Sequence, residues 1–218
     1  MLSEVTFAFL DALSENNNTK RMHLHIDLYR QEKGHFIDLV QKLIDKMKTY
    51  DDAFEWLTAK ECLFRQNKDI RFTRNKRPYK KHFGARISPD GKNSDYAGMY
   101  IHIEKGRSYI SIGMRQPSAV AWKKVRQHMA SHYQELVEIL DDRLIGKIFG
   151  APRGERTSRL LKIYKDHPAR RLLKYKSLYF HHFIADSVVI SPGFMDIIIE
   201  EWLLMKPFLD FLNAWLEE

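Results

Sequence analysis

Between residues 60 and 114 the apolar residues stop recurring every three or four positions and begin to alternate. That change of period limits the fold more than any other feature of the chain. Residues 100–104 put Ile101 and Ile103 on one side of a strand and Tyr100, His102 and Glu104 on the other. Lys105-Gly106 turns the chain, and residues 109–113 return with Ile110 and Ile112 facing together, which predicts a hairpin. Upstream, residues 85–88 read as a strand that stops at the turn signal Pro89-Asp90-Gly91.

Both flanks carry helical spacing. Leu2, Val5, Phe9 and Leu13 recur at that spacing until Asn16-Asn17-Asn18 halts the run. Phe36, Leu39, Val40, Leu43, Ile44 and Met47 form a second stripe, whose helix ends near Tyr50, and Asp51-Asp52 caps a short following helix. After Pro117, the residues Trp122, Val125, Met129, Tyr133, Leu136, Val137 and Leu140 suit one helix or two, with Ser131 as a candidate break. Residues 177–183 are a candidate to rejoin the sheet. Ser191-Pro192 then opens an amphipathic C-terminal helix, which Pro207 kinks or restarts. The expected architecture is a single α+β domain over residues 1–218. It is helical over 1–58, strand-rich over 60–114 and mostly helical over 118–218, with an antiparallel or mixed sheet from the middle third.

Charge follows the same division. The chain carries a formal +8, but residues 1–59 hold 7 basic and 10 acidic side chains, and residues 127–218 hold 12 and 13. Residues 60–126 hold 17 basic against 5 acidic. So localised an excess points to an anionic ligand: a phosphorylated small molecule, a nucleic acid or an acidic partner surface. Solvation of exposed strands accounts for it equally well.

The densest chemistry lies in residues 62–80. Read as a strand at its start, this stretch aligns Arg65, Asn67, Asp69 and Arg71 on one face and turns Phe64, Ile70 and Phe72 toward a core. Pro78 ends the regular run, leaving Lys76, Tyr79 and Lys80 on an adjoining loop. Arginine forks recognise phosphate or carboxylate bidentately, and lysine adds a point charge. Arg65, Arg71 and Lys76 are therefore the expected anion clamp, with Asp69 orienting the arginines, Tyr79 donating a hydrogen bond and Lys80 beside them. A purely structural lattice of Arg65, Asp69 and Arg71 is the competing reading. Because Arg65, Lys68 and Arg71 flank Asp69, its carboxyl is expected below its ordinary range, which suits an orienting role better than that of a base.

The order Arg65-Gln66-Asn67-Lys68-Asp69-Ile70-Arg71-Phe72, followed by Asn75-Lys76-Arg77-Pro78-Tyr79, resembles the signature of domain of unknown function 2461, an uncharacterised bacterial family. The likeness extends to Asn16-Asn17-Asn18, to residues 100–104, to Gly113 with Pro117 and to Asp166-His167-Pro168. Three positions depart from the pattern. Lys68 stands in place of an arginine, Arg21-Met22 in place of Trp-Phe, and Leu160-Leu161-Lys162 where Pro-x-Gly is usual. The resemblance implies a bacterial source and an α+β fold, and supplies no established activity.

Other constellations add little. Cys62 is the only cysteine, which excludes a disulfide framework and a cysteine metal site, and its apolar setting predicts a buried, inert thiol. His128 and His132 stand four apart without an intervening carboxylate; His23 and His25 diverge on a helix, and His181 and His182 point to opposite faces of a strand. No metal site and no cofactor is assigned. Gly-x-Ser-x-Gly, Walker and dinucleotide motifs are missing. His167 is the candidate proton shuttle if there is chemistry. The amino-terminal run carries Glu4 and Asp11 without a basic start, and the most apolar stretch, residues 194–212, is interrupted by Asp196, Glu200, Glu201, Lys206 and Asp210. Both features predict a cytoplasmic protein with no membrane span. The leading expectation is a small anionic, phosphate-bearing ligand; a nucleic acid comes second and an acidic protein partner third.

Overall fold

A computed structural model describes residues 1–72, 74, 76–159 and 162–216; Asn75, Leu160 and Leu161 of the family-like motifs lie outside the described residues. The fold is α+β. Four antiparallel strands, β1 (Phe83–Ile87), β2 (Gly98–Ile103), β3 (Tyr109–Met114) and β4 (Leu178–Phe183), stand in the order β1-β2-β3-β4. The alternation at residues 100–104 and the Lys105-Gly106 turn give β2 and β3 as expected, with Gly106 at φ +67°. Residues 178–183 do rejoin the sheet, as its last strand.

The chain forms two compact units. One comprises residues 1–92, 100–110 and 183–199; the other comprises residues 93–99, 111–182 and 200–218. The first unit is built on α1 (Glu4–Glu15), α2 (Thr19–Leu24), α3 (Ile26–Met47) and the short α4 (Ala59–Cys62). Ser3 caps α1: its hydroxyl accepts from Val5 N, and its own N–H donates to Thr6 Oγ1. The face that α1 buries is Thr6, Phe7, Phe9, Leu10 and Leu13, so the expected stripe is rotated and Val5 is left exposed. Phe36, Val40, Leu43, Ile44 and Met47 of α3 are buried, and Phe36 and Phe9 both stack on Phe83 of β1, at ring distances of 5.6 and 6.4 Å. Burying five such side chains contributes on the order of 1.5–3 kcal/mol each.

The second unit gathers α5 (Ala119–Ser131), α6 (Tyr133–Leu140), α7 (Arg143–Phe149) and α8 (Arg170–Leu173). The helical periodicity after Pro117 breaks at His132, one residue past the expected Ser131, so it makes two helices. Trp122, Val125, Met129 and Leu136 line this core; Phe180 meets Phe149 and Phe208 edge-on. Two further helices, α9 (Asp186–Val189) and α10 (Phe194–Asn213), complete the chain. Pro207 lies inside α10 without ending it. Among the described residues, no helix is long and apolar enough to cross a membrane.

Candidate functional site

The polar face of β2 carries a chain of hydrogen bonds. Tyr100 Oη lies 3.2 Å from His102 Nδ1, and His102 Nε2 lies 3.0 Å from Glu104 Oε2. Period-two spacing along the strand brings these three side chains to one face. His82, just before β1, sits across from them: its Nδ1 is 4.0 Å from Glu104 Oε2, and its ring centroid is 4.0 Å from that of His102. Lys81 holds the other carboxylate oxygen, with Nζ 2.8 Å from Glu104 Oε1. Tyr109 of β3 stacks on His102 at 4.5 Å with rings nearly parallel. Gly84 gives the Tyr100 phenol its place, because a β-carbon there would stand 2.7 Å from the hydroxyl.

This cluster is largely withdrawn from water, with His102 at 7% and Glu104 at 8% exposure. Burial acts to raise the Glu104 carboxyl, but hydrogen bonds from Lys81 and His102 outweigh it and hold the group below the ordinary carboxylate range. Burial pushes the His82 imidazole down to about 3, with His102 and Lys80 adding to the effect. His82 is therefore neutral, and Glu104 ionised, near pH 7.

The segment that drew attention in the sequence takes a different form. Among the described residues of 62–80 there is no strand. They leave through an isolated bridge, Leu63 with Ala85, and close a loop through a second, Asn67 with Tyr79. Lys68 N donates to Pro78 O and Lys80 N to Gln66 O, both at 2.8 Å, while the buried Gln66 amide donates to the carbonyls of Lys80 and His82. The main-chain pairing stays at single bridges, and the Gln66 amide takes carbonyls that an extended ladder would otherwise pair. Phe72, expected in a core, is 92% exposed, with the Arg71 guanidinium 5.6 Å from its ring centre.

The expected site residues divide into two groups. Asp69 and Arg71 grip each other bidentately, with Arg71 Nε 3.1 Å from Oδ1 and Nη2 2.8 Å from Oδ2. The side-chain and backbone hydrogen bonds from Arg71 hold the Asp69 carboxyl below its ordinary range, as the flanking cations implied. This pair is exposed. Lys76 Nζ donates to Ile70 O at 3.0 Å, and Tyr79 is buried with its main chain paired to the Asn17 side chain. The remaining cations cluster. Burial, then Arg65 and Lys68, lower the Lys80 ammonium, whose Nζ lies 5.2 Å over the Phe64 ring. Among the described residues, no carboxylate forms an ion pair with Arg65, Lys68 or Lys80. Both Lys80 and Lys68 also act on His82, so the loop cations border the β2 cluster.

His167 belongs to the second unit. Its Nδ1 accepts from Ala169 N at 3.1 Å, and its ring meets Tyr133 and Tyr164 edge-on. His128 is buried against Phe211, and His132 forms the end of α5, so the two stack without a carboxylate between them. Cys62 is fully buried, and burial pushes its thiol up to about 12, in keeping with an inert residue. Sequence reasoning missed His82 and assigned no role to His102 or Glu104. The signal lay in His102-x-Glu104 on an alternating strand, but its partner His82 stands twenty positions upstream.

Residues 5–211 match the model of a family described as conserved hypothetical protein, DUF2461. No curated protein and no solved structure matches the chain.

Proposed function

This chain belongs to the DUF2461 family, and from that starting point we propose that it binds a small phosphate-bearing anion where Arg65, Lys68 and Lys80 gather ahead of β1. One observation carries the reading: Arg65, Lys68 and Lys80 stand close enough for the first two to destabilise the Lys80 ammonium, with no ion-paired carboxylate among the described residues. Holding like charges together in partial burial costs free energy, and a bound dianion reverses the sign of that interaction. Asp69, Arg71, Lys76 and Tyr79 support the site by shaping the loop. Asp69 fixes the Arg71 fork, Lys76 braces the loop at Ile70, and Tyr79 anchors its return.

A thermal-shift screen of inorganic phosphate, sugar phosphates and nucleotides tests this reading. A ligand at a hundred times its Kd adds about 2.7 kcal/mol to the native state. Lys80→Ala, at a half-buried position, should abolish the shift while leaving the unliganded melting temperature close to that of the wild type. The same shift in wild type and Lys80→Ala overturns the assignment.

A second reading, single-stranded nucleic acid, is favoured by the exposed Phe72 ring beside Arg71. Aromatic faces stack bases at about 1–3 kcal/mol each. Under this reading, affinity rises with oligonucleotide length, falls with salt at a log–log slope of about −0.7 per phosphate contact, and weakens in Phe72→Ala. Binding that is indifferent to length counts against it.

A further inference from the structure

We propose that His82 Nδ1, His102 Nε2 and Glu104 Oε2 form a binding site for one divalent transition-metal ion of the zinc type, with a coordination position left for an exogenous ligand. One ligand atom from each of the three residues lies within 4.8 Å of the other two, on side chains brought together by the β1–β2 register. Tetrahedral zinc with bonds of about 2.0–2.1 Å sets its ligand atoms about 3.3 Å apart. The observed 3.0 Å between His102 and Glu104 and 4.0 Å between His82 and Glu104 bracket that value, so small rotations about the side-chain bonds close the site.

The donor set is chemically suited to such an ion. Two imidazoles and one carboxylate select zinc, iron or their neighbours over magnesium or calcium, which take oxygen ligands. The surroundings supply the outer contacts that metal ligands need. Tyr100 Oη meets His102 Nδ1, so when a metal displaces the proton that Nε2 shares with Glu104, the phenol oxygen can accept from Nδ1–H and hold the ring in the ligating tautomer. Lys81 occupies Glu104 Oε1, which leaves Oε2 to face the histidines. Tyr109 stacks on the His102 ring and fixes its plane.

The neighbouring charge defines what fills the open position. Glu104 alone leaves a dication with a net charge of about +1, and Lys68 and Lys80 act on the same histidine. An anionic ligand, such as hydroxide or a phosphate oxygen, is therefore favoured over neutral water. The metal site stands on its own geometry and does not depend on anion binding by the loop.

Cobalt(II) titration of the full chain, followed by visible absorption and metal analysis, is the test. The expected result is one ion per chain, with the affinity reduced about tenfold or more in His82→Asn and in Glu104→Gln, and retained in His132→Asn, which removes a histidine remote from the cluster. Far-UV circular dichroism melts establish that each variant is folded. X-ray absorption of the zinc form of the wild type reads the ligands without any substitution, and should show two imidazoles with oxygen completing the shell. Failure to bind stoichiometrically overturns the site. So does equal binding by wild type and folded His82→Asn, which would place the ion on other histidines, or a zinc shell without two imidazoles. Loss of the phosphate-induced thermal shift with metal binding intact would instead remove only the loop reading.

Discussion

Asn17 holds both main-chain groups of Tyr79: its Nδ2 donates to Tyr79 O at 3.0 Å, and its Oδ1 accepts from Tyr79 N at 2.9 Å. The amide completes, from 62 residues away, what a neighbouring strand would otherwise supply, and it fixes the return of the basic loop. Asn17→Ala leaves both groups without partners in a half-buried place. The expected cost is about 1–3 kcal/mol in urea unfolding, with weaker anion binding as a consequence. Asn17→Asp, which keeps only the acceptor, should recover part of it. An Asn17→Ala variant as stable as wild type would show that the loop is held by other contacts.

Asp69→Asn tests the exposed end of the same loop. Nearby Arg71 holds the Asp69 carboxyl below its ordinary range, so any stabilisation is present above the unfolded value of about 3.9. It is lost as pH falls through the depressed folded value. Solvent screens this pair, and the urea midpoint of Asp69→Asn at neutral pH should lie close to that of wild type. A large drop would mean that the arginines depend on this carboxylate for their arrangement.

His182 gives pH dependence of the opposite sign. Its Nδ1 lies 2.6 Å from Glu201 Oε1, and this hydrogen bond raises the imidazole above its ordinary value. The stabilisation is fully present below the unfolded value of about 6.5 and disappears as pH rises through the raised folded value. Glu201 is buried, and its Oε2 has no hydrogen-bond partner among the described residues, so the histidine's proton matters to it. Urea midpoints of wild type and His182→Gln should converge as pH climbs from about 6 to about 9. Parallel curves would remove His182 as the titrating group.

Gly113→Ala probes the pairing of β3 with β4. Gly113 has φ +130°, and a β-carbon there would lie 2.5 Å from Leu178 O and 2.7 Å from Tyr179 Cα, both main-chain atoms. Backbone strain and overpacking each cost on the order of 1–3 kcal/mol. A fall of about 2–5 kcal/mol in stability is expected by chemical denaturation, whereas Gly34→Ala, on open helix surface, should be neutral or slightly stabilising.

Much of the fold was legible because it rests on local period. Ile101 and Ile103 against Tyr100, His102 and Glu104 announced β2, and the stripe from Phe36 to Met47 announced α3. The loop at residues 63–80 misled for a physical reason. Arg65, Asn67, Asp69 and Arg71 alternate, but Gln66 and Lys68 on the other face are polar, and their backbone partners come from Pro78 and Lys80. The meeting of His82 with His102 and Glu104 was hidden because it depends on the register between β1 and β2. Nothing within either strand encodes that register alone. The cation cluster was visible as composition, but its mutual destabilisation became visible only once Lys80 was placed beside Arg65 and Lys68.

Cys62 lies at 0% exposure with its thiol pushed up to about 12, so thiol reagents at neutral pH will pass it by. The chain is in effect cysteine-free toward labelling chemistry. A Phe72→Cys variant presents a single reactive thiol at an exposed position beside Arg71, and an environment-sensitive dye there will report whatever settles on it. The inert sulfur thus lets the loop be watched in solution without first stripping out the native residue.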